Sequence, residues 1–259
     1  MRAGNVTAVA TATNIVYQLL KIGIGCFLVL LPASCGGSRG HDPLPEFPSV
    51  VLWAWDRPEH MAYIDPHEVG VAFLAETISW REDKVAWKPR YQPLEVPPGT
   101  EVMAVVRLES FGLPLPDAEA IAGRIIETAT QPRIHAVQVD FDARQSEREW
   151  YASLLGILHR RLPKGVSLNI TALASWCLGD PWIKGLPIND AVPMLFRMGE
   201  GEPHGVTEFS TPICRSSVGI STDEAPLSIP HDRRIFIFHP HPWTPDSYHA
   251  AIELARRLR

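Results

Sequence analysis

The sequence predicts an α/β fold, a compact (β/α)8 barrel, on three observations. Eight short apolar segments read as strands, and several are separated by segments of helical period. The chain is long enough for one large domain, and the part beyond its N-terminal signal lies near the low end for an α/β barrel. Most strands also turn polar or aromatic toward their C-terminal ends, and in a parallel barrel those ends meet at one face. So short a barrel has room for only some full helices, so reduced connections are expected after strands one, five, six and seven. A doubly wound open sheet is the alternative. No Gly-x-Gly-x-x-Gly phosphate loop follows an early strand, which counts against it.

The N-terminus differs in kind. Lys21 precedes the apolar run Ile22-Gly23-Ile24-Gly25-Cys26-Phe27-Leu28-Val29-Leu30-Leu31, followed by Pro32-Ala33-Ser34-Cys35. A basic residue, a short apolar core and a small-residue exit read as an export signal, too short for a comfortable membrane span. Ala33-Ser34-Cys35 also resembles a lipoprotein signal, with Cys35 as the lipidated residue, although Pro32 stands where leucine is usual. An uncleaved anchor helix over residues 15–31 is the competing reading. The expected organisation is a signal over 1–35, a flexible Gly/Ser/Pro-rich linker over 36–48, and the barrel over 49–259. Export would place the protein in the periplasm or cell envelope. It would also leave Cys177 and Cys214 as a lone pair, either a disulfide or two half-buried thiols.

The strands come in order: an apolar 50–55, then 70–74, 102–109, 136–142, 166–173, 191–197, a weaker 217–220, and 234–238. A short helical turn is expected at 59–63 and a small hairpin over 78–87. Pro116-Asp117 caps an amphipathic helix carrying Ile121, Ile125 and Ile126. A second helix, 146–162, presents Trp150, Leu154, Leu155 and Leu158 at helical spacing, and a third closes the chain over 245–258. The net charge of −5 is dispersed, giving no reason to expect nucleic acid or an anionic membrane surface as partner.

Alternation within each strand assigns the candidate site. The fourth strand puts Val137, Val139 and Phe141 on one face, and Gln138, Asp140 and Asp142 on the other. The third gives Met103, Val105, Arg107 and Glu109, and the fifth Asn169, Thr171, Leu173 and Ser175, with Trp176 beyond. The first gives Val51, Trp53 and Trp55, and the sixth Pro193, Leu195 and Arg197. The eighth gives Ile235, Ile237, His239 and His241, with Trp243 near. Acids, arginines and flat aromatic walls converging on one cleft suit a carbohydrate, because carboxylates supply acid–base or nucleophilic chemistry and indole faces stack on pyranose rings. The competing account is a buried salt-bridge network that only rigidifies the barrel mouth.

Four stretches carry a family resemblance: Val51-Leu52-Trp53-Ala54-Trp55-Asp56-Arg57-Pro58-Glu59, Val139-Asp140-Phe141-Asp142-Ala143, Ile170-Thr171-Ala172-Leu173-Ala174-Ser175-Trp176-Cys177, and Pro193-Met194-Leu195-Phe196-Arg197-Met198-Gly199. They resemble the bacterial family known as domain of unknown function 3142, over residues 50–243. That resemblance implies a glycoside-hydrolase-like barrel behind an export signal, with no activity attached. A looser similarity is to family-18 chitinases, whose fourth strand ends Asp-x-Asp-x-Glu. Asp140 and Asp142 match the aspartates, whereas Arg144 stands where the essential acid would be.

The leading expectation is an exported barrel that hydrolyses or binds a carbohydrate without a cofactor. Asp140 or Asp142 would be base or nucleophile and Glu109 the proton donor, with Arg107 and Arg197 holding the carboxylates ionised. Trp53, Trp55, Gln138, Asn169, Trp176, His239, His241 and Trp243 would contribute to binding. The first alternative is a non-catalytic glycan-binding or envelope-associated protein on a hydrolase scaffold. The second is a metal-dependent hydrolase using His239, His241 and one of the two aspartates.

Overall fold

Parallel pairing closes on itself in this chain. The computed structural model describes residues 44–198, 205–224, 226 and 228–259. The expected export signal, Cys35 and residues 36–43 of the expected linker lie outside the described residues. The elements are β1 (Val50–Ala54), β2 (Glu59–His60), β3 (Val69–Arg81), β4 (Lys84–Pro89), β5 (Leu94–Glu95), β6 (Val102–Ser110), α1 (Ala118–Ala129), β7 (Ile134–Asp140), α2 (Arg148–Arg161), β8 (Ser167–Leu173), α3 (Ala174–Leu178), β9 (Asp190–Met194), β10 (Ser217–Ser221), β11 (Arg234–Phe238) and α4 (Pro245–Leu258). Three 3-10 turns, Gln145–Glu147, Pro181–Ile183 and Pro212–Cys214, join them.

β1, β3, β6, β7, β8, β9, β10 and β11 pair side by side, each parallel to the next, and β11 returns to β1. This is an eight-stranded α/β barrel of the TIM type. Full helices follow the third, fourth and last strands, and the fifth keeps only the five residues of α3. The connection after the second strand also lacks a helix. There β3 runs past the barrel wall and folds back as antiparallel β4. Residues 59–63, expected as a helical turn, instead start with β2, which pairs with β5 because the chain returns there from the hairpin.

Two cores arise from strand alternation. Val51, Trp53, Ala72, Leu74, Met103, Val105, Ala136, Val192 and Phe236 fill the lumen, one alternating set from around the wall. The opposite set, including Val137, Val139 and Phe141, packs outward against Ile121 and Ile125 of α1 and Leu154, Leu155 and Leu158 of α2. Asp117 caps α1 by accepting from the Glu119 backbone N–H at 3.1 Å.

The base of the barrel is closed by residues 44–48, which were expected to be linker. Leu44 and Phe47 are buried against the lumen. The Arg234 guanidinium at the start of β11 donates to their carbonyls at 2.8 and 3.0 Å, and to that of Pro48 at 3.0 Å. Halfway up, the Trp53 indole crosses the lumen, which is feasible because β10 offers glycine. A Cβ on Gly219 would lie 2.8 Å from the Trp53 ring.

The facing expected for the sixth and eighth strands is reversed. Val192 and Phe236 point inward, while Leu195, Ile235 and Ile237 belong to the outer core. Both strands are apolar beyond their first residues, so the only polar marks on their inward faces are Asp190 and Arg234 at their starts.

Candidate active site

Above the Trp53 plug, the C-terminal strand ends open into a cleft of about 810 Å³. Its floor is built from β7. The Trp53 indole N–H, which can only donate, gives its hydrogen to Gln138 Oε1 at 2.9 Å. Gln138 is fully buried and its amide nitrogen has no partner among the described residues.

Asp140, one step further along the same face, is half-buried and accepts from the Thr171 hydroxyl of β8 at 2.7 Å. Burial pushes its carboxyl above the usual aspartate range. The Thr171 hydrogen bond and the Arg107 charge oppose the rise, while Asp142 and Glu109 add to it. Asp142 follows at the rim. Lost solvation also raises its carboxyl, against the pull of Arg107.

β6 supplies the next wall. Its alternation carries Arg107 and Glu109 into the cleft above Met103 and Val105, and their side chains pair at 2.9 Å. The Arg107 guanidinium also lies 5.5 Å from the centre of the Trp55 ring. Trp55 is half-buried, and the Arg90 guanidinium holds its backbone carbonyl. The acids sit on a rigid support: behind Asp140 and Asp142, Phe141 packs against Trp80, Trp150 and Tyr151 with ring centres 5.1 to 5.9 Å apart.

Of the predicted residues, Asp140, Asp142, Glu109, Arg107, Gln138, Trp53, Trp55 and Arg197 line this cleft. Trp53 does so as an almost fully buried plug. Arg197 reaches the rim because the chain has left β9 and turned through a left-handed residue, φ +53°. It does not hold the carboxylates as expected. It pairs with Asp223 at 3.2 Å, and its backbone N–H donates to Glu224 at 2.9 Å.

Five predicted residues lie elsewhere. Asn169 is buried below the floor, donating weakly to the Val137 and Ser167 carbonyls. Trp176 is buried against Trp182, since α3 turns it away from the lumen. The Trp243 indole donates to the Trp53 carbonyl at 2.9 Å and is buried. His239 and His241 face a separate depression with Thr222 and Asp223. The His239 Nδ1 lies 2.6 Å from the Thr222 hydroxyl, and burial first, then His241 and Arg57, pulls its pKa down. The metal reading needed these histidines beside Asp140 or Asp142. Among the described residues, no group of three or more His, Cys, Asp or Glu is arranged to hold an ion.

Phe196, Phe238, Phe111 and Glu147 are among the cleft residues that escaped the sequence reading. Phe196 and Phe238, stacked 5.7 Å apart at 5°, were hidden by the reversed facing of their strands. The inward-facing charge of Arg234 was the signal that could have corrected the eighth strand. Phe111 lies just past β6, where strand periodicity no longer applies. Glu147 was readable only as a helix-start acid. It is buried, accepting from the Ser110 hydroxyl and from the Arg144 backbone N–H at 2.8 Å.

Fold and cleft together define an α/β barrel with a carboxylate-bearing groove at the C-terminal ends of its strands. Among solved structures, the chain is similar to the spore cortex-lytic enzyme SleL of Bacillus cereus, with 17% identity and a TM-score of 0.42. The match covers 68% of this chain and 50% of that one, so the chain spans about half of SleL. No family model and no curated protein matches the sequence, and the likeness to domain 3142 remains a resemblance.

Proposed function

We propose that the protein is an exported barrel that binds a carbohydrate in the cleft and cleaves a glycosidic bond there. The carrying observation is the placement of two carboxyls side by side, Asp140 half-buried and Asp142 at the exposed rim, in a groove walled by the half-buried rings of Trp55, Phe196 and Phe238. Asp140 is the proton donor: burial favours its protonated form, and Thr171 fixes its orientation. Protonating the glycosidic oxygen lets the leaving sugar depart, while Asp142 assists at the anomeric carbon as base or nucleophile. Glu109 was the expected donor, but its carboxylate is engaged by Arg107. We assign it to orienting that guanidinium.

The Cys177–Cys214 disulfide supports export, since such bonds persist in oxidising compartments. Lipidation at Cys35 belongs to the same proposal, and mass analysis of the mature N-terminus tests it. The functional test is a glycan panel scored for binding and cleavage on one preparation, with Asp140→Asn beside the parent. Cleavage by the parent, and binding without cleavage by the variant, supports the reading. A second reading, glycan binding without turnover, is favoured by Arg144, which lines the cleft where the chitinases it resembles carry their essential acid. Binding without cleavage by the parent across the panel would select it.

A further inference from the structure

The cleft contains three arginines, and only two of them are neutralised. Arg107 is held by Glu109, and Arg197 by Asp223 and the Glu224 contact at its backbone. Arg144 lines the same cleft with its side chain exposed, and among the described residues its guanidinium has no carboxylate partner. The neighbouring acid, Asp142, feels Arg107 as its cation. Glu147 forms no ion pair with the Arg144 guanidinium; its oxygens accept from the Ser110 hydroxyl and the Arg144 backbone N–H.

Those two bonds make Glu147 a strut between the end of β6 and the start of α2. The strut brings Arg144 to the same side as Phe111, the residue after Ser110. Phe111 is 54% exposed and lines the cleft. On that ring rests a second guanidinium, Arg81, 4.6 Å from its centre and also without a carboxylate partner among the described residues. This sector of the rim therefore presents the exposed Phe111 ring with Arg81 over it, and Arg144 lining the same cleft, neither guanidinium in an ion pair among the described residues. A planar guanidinium fork recognises carboxylate or sulfate oxygens in a bidentate manner, and an aromatic face takes the apolar side of a sugar ring.

We propose that Arg144 is the anion-recognition group of the cleft and selects a carbohydrate bearing a carboxylate or sulfate, with the charged ring laid along Phe111. This rests on the carbohydrate reading and names its substrate class. The positive charge that breaks the likeness to chitinases becomes, on this account, a specificity determinant.

The test uses the mature chain with three probes of equal length: a uronate oligosaccharide, its methyl ester, and a sulfated oligosaccharide. The ester keeps the sugar and removes the charge. The acid or the sulfated probe is expected to bind at least ~10-fold tighter than the ester, with a margin that narrows as salt is raised. Arg144→Gln brings that ratio close to one, and Arg144→Lys, keeping charge but losing the fork, retains part of it. Equal binding of ester and charged probes, or a preference that survives Arg144→Gln, overturns the proposal. Neutral-only binding overturns it while leaving the carbohydrate reading intact, and no binding of any of the three probes overturns it too, with the carbohydrate reading then decided by the glycan panel. The relative strength of the uronate and sulfate arms identifies the anion.

Discussion

Two sectors of the barrel rim contrast sharply. On one side, the ends of β6, β7 and β8 deliver Arg107, Glu109, Asp140 and Thr171 into the cleft, backed by α1, α2 and the Phe141 aromatic cluster. On the other, the ends of β9, β10 and β11 carry equally polar residues that their neighbours satisfy. His239 contacts Thr222, Arg197 pairs with Asp223, and the His239 carbonyl accepts from Arg57 at 2.7 Å. What separates them is desolvation without full pairing. Asp140 is half-buried and loses solvation that Thr171 and Arg107 only partly restore, and Asp142 beside it at the exposed rim is raised as well; groups so placed are candidates for chemistry. Polar residues on the second side close the rim, and what that side adds to the cleft is mainly the aromatic surface of Phe196 and Phe238.

The largest expected effect that tests this contrast is on turnover. Asp140→Asn or Asp142→Asn should lower cleavage of a responsive glycan by about 10² to 10⁴-fold, the range for losing a positioned acid or base. In the parent, cleavage should fall as pH climbs through the raised Asp140 pKa, because the donor is then ionised. A pH profile measured beside the variants reads this limb. Next comes the bond tying the sectors together. Cys177 in α3 and Cys214 before β10 close a loop of sequence separation 37, so Cys177→Ser with Cys214→Ser should cost about 3–4 kcal/mol in denaturant unfolding.

Gly219→Ala places a methyl group against the Trp53 ring. It should cost about 1–3 kcal/mol and loosen the Trp53–Gln138 floor of the cleft. The smallest effect is expected on the second sector. His239→Ala should change glycan affinity less than about two-fold, and breaking Arg197–Asp223 with Asp223→Asn should alter stability by about 0–1 kcal/mol. A loss of turnover from His239→Ala as large as that from Asp140→Asn would erase the distinction between the sectors.

The same contrast explains what the sequence revealed. The fourth strand was legible because its two faces differ: Val137, Val139 and Phe141 against Gln138, Asp140 and Asp142 could face only one way round. The parallel barrel was legible from the spacing of apolar segments. The facing of 191–197 and 234–238 was missed, because runs buried on both sides carry little alternation and the one mark in the second, Arg234, stands at its first residue. Trp176 and Trp243 were assigned to the cleft from their nearness to strand ends, yet Trp176 lies within α3 and Trp243 just before the Thr244 cap of α4, and both join the outer packing. Glu147 and Phe111 sit in connections, where neither period applies, and only the Ser110–Glu147 bond shows that they share a wall. The bonds Arg234 makes to residues 44–48 are long-range and leave no local trace in what reads as a linker.

The central claim is that Asp140 is retained for chemistry at a cost to stability. A carboxyl whose folded pKa is raised favours folding below its unfolded pKa, and that contribution is lost as pH rises through the folded value. Once pH passes the unfolded pKa, either retaining the proton on Asp140 or ionising it therefore costs stability, while asparagine can still accept the Thr171 hydrogen bond without a titrating group. The direct measurement is thermal unfolding of Asp140→Asn and parent side by side from pH 3 to 8. The account predicts that the variant melts higher at pH 7 and that this advantage shrinks as pH falls into the ordinary carboxylate range. A variant that melts lower than the parent at pH 7 would make Asp140 a structural ion-pair partner and contradict the account.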